Sequence, residues 1–217
     1  MKDFLKINDI RYWNNFYTNN KVLNQKSNFA FFIKKKFIKK NINILEIGTG
    51  NGRDAFYLSK IYNSIIAIDQ SFSAIKENNL KAKRLRMNNL IFKKLDVDNI
   101  LNIKDRNKID LVYARFFIHS INLKKENLFI KNLSKFKKQN LYIALEFRTI
   151  QDKLMNTGKK ISTYERITDH YRRFINTEDL KNKFLKRGFK ILYKKSGINL
   201  SKTRTENPHL TRIIFFK

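Results

Sequence analysis

Short apolar runs alternate with amphipathic stretches along most of the chain. The runs over residues 42–47, 64–68, 90–95, 109–113, 141–147, 189–193 and 211–216 are rich in Ile, Leu, Phe and Tyr and predict buried strands. The stretches over 54–61, 71–87, 124–136 and 177–187 carry apolar residues at helical spacing. Thr177 followed by Leu180 and Phe184 has the form of a capped helix start. Residues 8–40 also look helical, with Trp13, Phe16, Phe29, Phe32 and Phe37 at apolar positions. Short apolar strands separated by helices predict an α/β fold, a mainly parallel sheet with helices on both faces. The last two strands are joined by a loop without a helical pattern, so they are expected to pair antiparallel. No repeat and no linker interrupts the pattern, and the single proline is Pro208. A length of 217 residues suits one such domain with decorations.

The first strand runs into the most informative segment, Glu46-Ile47-Gly48-Thr49-Gly50-Asn51-Gly52-Arg53-Asp54. Small residues at a strand end let backbone approach a ligand closely. A dinucleotide site needs Gly-x-Gly-x-x-Gly, but Arg53 stands where the third glycine belongs. A P-loop needs Gly-Lys-Ser/Thr, which is absent. Glu46, just before the loop, suits an aminoacyl cation better than a pyrophosphate. The second strand ends at Asp69, 21 residues after Gly48, where a carboxylate can accept from both hydroxyls of a ribose. The third ends at Asp96, beside Val97, where a carboxylate can accept from an adenine amino group. Strand-end aspartates also cap turns, so the order of the set carries more weight than any member.

Composition removes several classes. There is no cysteine, which excludes disulfides, a cysteine metal site and a cysteine nucleophile, and fits a cytoplasmic location. Three histidines, at 119, 170 and 209, make a histidine metal site unexpected, so no metal is predicted. No segment approaches the roughly 18 apolar residues of a membrane span, and the early apolar stretch is broken by Lys34, Lys35 and Lys36. The formal charge of +29 suits a nucleic-acid or membrane-surface binder. It equally suits AT-rich coding, since the chain is heavy in Lys, Asn, Ile and Phe and its lysines are spread rather than clustered.

With the glycine loop and the two aspartates in place, residues 42–147 resemble a class I S-adenosylmethionine-dependent methyltransferase. The resemblance implies a Rossmann-like fold with a seven-stranded, mainly parallel sheet and an antiparallel last strand. It places Gly48 and Gly50 along the methionine moiety, Glu46 beneath it, Asp69 at the ribose, and Asp96 with the Val97 amide at the adenine. Thr49, Arg53, Asp54, Gln70, Ser71 and Arg115 are the further residues expected around the methyl donor. Gly50-Asn51-Gly52-Arg53-Asp54 is similar to a bacterial subgroup whose members often act on small molecules, and whose genes often accompany surface-polysaccharide or natural-product pathways. Tyr12-Trp13-x-x-Phe16-Tyr17, Ser27-Asn28-Phe29-Ala30, Arg115-Phe116-Phe117-Ile118-His119 and Asp169-His170-Tyr171-Arg172-Arg173-Phe174 share that flavour. The resemblance suggests that residues 1–40 form a lid, with Tyr12 or Tyr17 touching the donor's carboxylate. The same aromatics could instead pack plainly on the domain.

The acceptor is approached by exclusion. The fourth strand leads into Tyr113-Ala114-Arg115-Phe116, not the Asn/Asp-Pro-Pro-Tyr/Phe of amine-methylating enzymes. Methylation at carbon 5 of pyrimidines would need a cysteine. Oxygen methylation of a small molecule remains, and it requires alignment and removal of a proton. His119 is the first candidate base, with His170 and Glu146 as competitors; a hydrogen-bonded structural histidine is the plainer alternative. Residues 148–176 form an insertion carrying Arg148, Arg166, Arg172 and Arg173 with Tyr171, expected to bind an anionic acceptor such as a phosphorylated, nucleotide-linked or acidic sugar. A solvated hairpin with ordinary salt bridges is the alternative. An RNA methyltransferase and a noncatalytic S-adenosylmethionine-binding protein are the other functional readings. Oligomeric state is not legible.

Overall fold

The computed structural model describes residues 2–19, 25–37, 41–203 and 205–217. The chain divides into two compact units, residues 1–97 and 98–217.

The first unit opens with α1 (Lys2–Asn19) and α2 (Asn28–Lys36). The single helical stretch expected over 8–40 is therefore two helices, and residues 20–24 and 38–40 of it lie outside the described residues. The separation is fixed at Ser27. Ser27 accepts from the Ala30 amide as an N-cap while its own N–H and hydroxyl donate to Asp54, each at 2.7 Å, which fixes a fresh helix start there. Then follow β1 (Asn43–Ile47), α3 (Arg53–Leu58), β2 (Ser64–Asp69), α4 (Phe72–Arg84) and β3 (Leu90–Lys94). β2 pairs in parallel with β1 on one side and β3 on the other, with Ile44 opposite Ile65 and Ile66 opposite Ile91. Ile44, Leu45 and Ile47 of β1 and Ile65 to Ile68 of β2 are buried, the continuous burial of interior parallel strands. Each such side chain contributes roughly 1.5–3 kcal/mol.

The second unit holds β4 (Leu111–Arg115), α5 (Leu123–Ser134) and β5 (Tyr142–Arg148), then α6 (Thr177–Leu185) after an insertion, as well as β9 (Lys190–Gly197) and β10 (Leu210–Phe216). β4 and β5 are parallel, whereas β10 runs antiparallel to both β5 and β9. These strands and those of the first unit make up a seven-stranded, mainly parallel sheet with flanking helices, as the apolar pattern predicts. The insertion contains β6 (Lys159–Lys160), β7 (Glu165–Ile167) and β8 (Tyr171–Arg173), a small antiparallel sheet of its own. No helix among the described residues is long and apolar enough to cross a membrane.

Candidate functional site

The C-terminal end of β1 delivers the chain into a loop that only glycine builds cheaply. Gly48, Gly50 and Gly52 have φ of 70°, 53° and 72°, in the left-handed region. The Gly48 and Thr49 amides donate to the Ile68 carbonyl at 2.9 and 3.1 Å, pinning the loop to β2. Asp69, at the tip of β2, accepts from the Gly50 amide through one oxygen and the Ser71 amide through the other, both at 2.9 Å. Asp96 is half-buried just after β3, and Val97 beside it is buried.

Glu46 is the exception within β1, a carboxylate only 4% exposed among apolar neighbours. Its Oε2 has no hydrogen-bond partner, and the Thr49 side chain beside it acts against the effect of burial. Burial first, then the nearby Asp54 carboxylate, pushes the Glu46 carboxyl well above its ordinary range. A buried, unsatisfied carboxylate oxygen is costly, and a cation is the partner that relieves it.

Tyr17 of α1 lies on the same loop. A methyl at Gly50 would stand 2.9 Å from the Tyr17 Cζ, and burial followed by Asp69 raises the Tyr17 hydroxyl above its ordinary pKa, so it stays protonated. Tyr12, half-buried, stacks on Phe16, with ring centroids 6.0 Å apart. α1 is further tied down by Asn14, which accepts from the Ser71 hydroxyl at 2.9 Å. Asn14 was not expected at the site, nor was Asn78, whose Nδ2 donates to the Gly50 carbonyl at 2.8 Å. A signal for Asn78 existed: it shares the buried face of α4 with Ala74, Ile75 and Ala82, a polar residue at an apolar position. Arg53 and Gln70 are half-buried beside the loop. Two expected donor contacts have internal duties. Asp54 receives both Ser27 hydrogen bonds, and Ser71 caps α4 through the Ala74 amide.

In residues 98–217 the expected acceptor arginines are engaged within the protein. Arg148, buried, pairs with Asp152 at 2.9 Å and with Glu206. Arg166 donates to the carbonyls of Met155, Ser162 and Glu165. Arg173 pairs with Glu126 and donates to the Ile121 carbonyl. Arg172 pairs with Asp169, whose carboxyl it and Thr168 hold below the usual range against the opposing effect of burial. Tyr171 donates to Glu165. These arginines build the insertion rather than standing open on it.

The expected bases meet similar obstacles. Glu146 is fully buried; Arg115, at 2.9 Å, and Arg212, at 2.6 Å, pair with its two oxygens, and the Ser201 hydroxyl also reaches it. Arg115, expected at the methyl donor, thus spends its Nε on Glu146. Burial first, then Arg172, lowers His170 to about 4, against the pull of Asp169. His119 is 4% exposed, and its Nδ1 accepts from the Arg148 amide at 3.1 Å. Among the described residues no group of His, Asp or Glu is placed to hold a metal.

A family model described as a methyltransferase domain matches residues 38–187. No curated protein matches the chain. A crystal structure of an S-adenosylmethionine-dependent methyltransferase from Methanosarcina mazei is similar at TM-score 0.71 and 21% identity, covering 85% of this chain and 96% of that one. An S-adenosylmethionine-dependent methyltransferase from Clostridium acetobutylicum gives 0.70 and 15%, covering 97% and 98%. The [4+2]-cyclase SpnF gives 0.73 and 10%, covering 99% and 94%.

Proposed function

Since this chain belongs to the methyltransferase-domain family, we propose that it transfers a methyl group from S-adenosylmethionine to an oxygen of a small anionic acceptor. The observation that carries the reading is the orphaned Glu46 oxygen below a loop with three left-handed glycines. S-adenosylmethionine carries its methyl on a positively charged sulfur and an ammonium nearby, so it is the kind of cation that such an oxygen lacks. The residues fit it. Gly48, Thr49 and Gly50 offer close backbone, Asp69 at the tip of β2 is a carboxylate suited to ribose hydroxyls, and Asp96 with the Val97 amide suits the adenine edge. The protonated Tyr17 hydroxyl suits the ligand's carboxylate, with α1 as the lid and Tyr12 supporting it. Arg53 and Gln70 line the same loop. Asp54, Ser71 and Asn78 act on the ligand indirectly, by holding the loop and the helices beside it.

The acceptor belongs with the second unit. Of the arginines there, the half-buried Arg172 beside Tyr171 suits an acidic sugar or another small anion of the kind that bacterial surface-polysaccharide assembly uses, while Arg148, Arg166 and Arg173 shape the insertion around it. A second reading, an RNA acceptor, is favoured by one observation. Five of the 18 acidic residues, Glu46, Asp54, Glu126, Glu146 and Asp152, are buried while lysines remain at the surface. The fold alone does not decide, since SpnF pairs a similar fold with a cyclase activity.

Incubation with methyl-labelled S-adenosylmethionine and a panel of acidic, phosphorylated and neutral sugars beside an RNA pool tests the reading. Label is expected in the acidic small molecules. Label in RNA, falling steeply as salt rises, would favour the second reading instead. Tight binding without transfer to any of them would leave a noncatalytic binder.

A further inference from the structure

The histidine after β4 has only one way to act. His119 lies in the short turn Ile118–Ser120, nearly buried, and the Arg148 backbone N–H points at its Nδ1 from β5. A backbone N–H is an obligatory donor, so Nδ1 must hold its lone pair there and the ring proton must sit on Nε2. No described residue accepts from that Nε2–H. Gaining a second proton would set an N–H against the Arg148 N–H. It would also add charge to a buried ring that faces Arg148 of β5, Arg172 of β8, His170 beside β8 and Arg115 of β4; burial leads these effects in holding its pKa well below the ordinary value. The ring is also held in place. Phe116 packs on it with centroids 5.2 Å apart. Phe116 itself is held at φ 54°, unusual for a bulky residue, by its N–H on the Glu146 carbonyl at 2.8 Å and by the Arg115 guanidinium 4.0 Å from its ring.

We propose that His119 is a fixed hydrogen-bond donor to an acceptor that arrives already ionised, so that the methylated atom is a carboxylate oxygen and not a hydroxyl. This rests on the methyltransferase reading and names its acceptor class. None of the three expected bases suits a hydroxyl proton: His119 has its lone pair engaged, Glu146 lies under two arginines, and His170 is a weak base at about 4. A carboxylate needs no base. One of its oxygens bonds to the methyl carbon as the carbon–sulfur bond breaks, with that electron pair going to sulfur. The products are a methyl ester and a neutral thioether, and no proton moves. The other carboxylate oxygen accepts from the His119 Nε2–H.

Nitrogen-15 NMR of the full chain reads the histidine directly, without any methyl donor, so this test can fail while the methyltransferase reading stands. The expected spectrum has His119 as the Nε2–H form, unchanged from pH 5 to 8. Acetate and D-glucuronate should shift its Nε2–H signal, and D-glucose should not. His119→Phe, which keeps a ring and loses the N–H, should weaken D-glucuronate binding about fivefold, since one hydrogen bond is worth about 1 kcal/mol. His119→Gln, which keeps an N–H donor, should recover most of that loss. Titration of His119 between pH 5 and 8, a proton on Nδ1, an equal response to D-glucose, or no response to either carboxylate would overturn the proposal.

Discussion

Glu46 in residues 1–97 and Glu146 in residues 98–217 are both buried carboxylates on core strands, and they are satisfied in opposite ways. Below the glycine loop, Glu46 keeps a buried oxygen, Oε2, without a partner. In the second unit, Arg115, Arg148, Arg173 and Arg212 all pair with buried or half-buried carboxylates, and Arg166 is filled by carbonyls. Buried polar groups are nearly always paired, so an unpartnered carboxylate oxygen invites a cation and a saturated ion pair does not. The contrast leaves the Glu46 oxygen suited to a cation and the Glu146 oxygens already taken by arginines. It assigns most of the arginines of the second region to architecture.

The largest expected effect of breaking this contrast is on stability. Glu146→Ala leaves the buried Arg212 and the half-buried Arg115 without their shared carboxylate and should cost about 3–5 kcal/mol in urea unfolding. A loss below about 1 kcal/mol would mean that the network is incidental. Gly50→Ala comes next. It forces a side chain into a left-handed position and against Tyr17, so binding of S-adenosylhomocysteine should drop at least tenfold while the cooperative melt survives. Native affinity in that variant would remove the loop from the site.

The smallest effect is the most diagnostic of charge. Because the empty Glu46 titrates above its ordinary value, the folded protein holds that proton in a range where the unfolded chain has lost it. Its contribution to stability therefore falls as pH rises above about 4.3. A cationic ligand prefers the ionised form. Affinity for S-adenosylmethionine should rise with pH through this range with release of a proton, and Glu46→Gln should flatten the rise. An equal slope in native protein and variant would assign the proton elsewhere.

Much of the fold was legible because burial writes itself locally. The run 42–47 anticipates β1, 64–68 anticipates β2, and the helix-free link between the last two runs anticipates the antiparallel pairing of β9 with β10. The glycine loop was legible because left-handed backbone selects one residue type. What was not legible depends on partners distant in the chain. The break between α1 and α2 is set by Asp54, 27 residues past Ser27. Arg148 and Arg173 find carboxylates at Glu206 and Glu126, far from them along the chain. Likewise the proton on His119 is fixed by an amide on another strand, which no spacing of residue types encodes.

The central claim is that residues 1–97 bind S-adenosylmethionine through the loop and strand tips, and calorimetric titration of the Asp69→Ala protein tests it most directly. Asp69 ties the Gly50 and Ser71 amides and is assigned both ribose hydroxyls. A charge-assisted pair of hydrogen bonds is worth on the order of 1.5–3 kcal/mol, so affinity should fall at least tenfold in a variant that still melts cooperatively. Unchanged affinity in the folded Asp69→Ala protein would contradict the account.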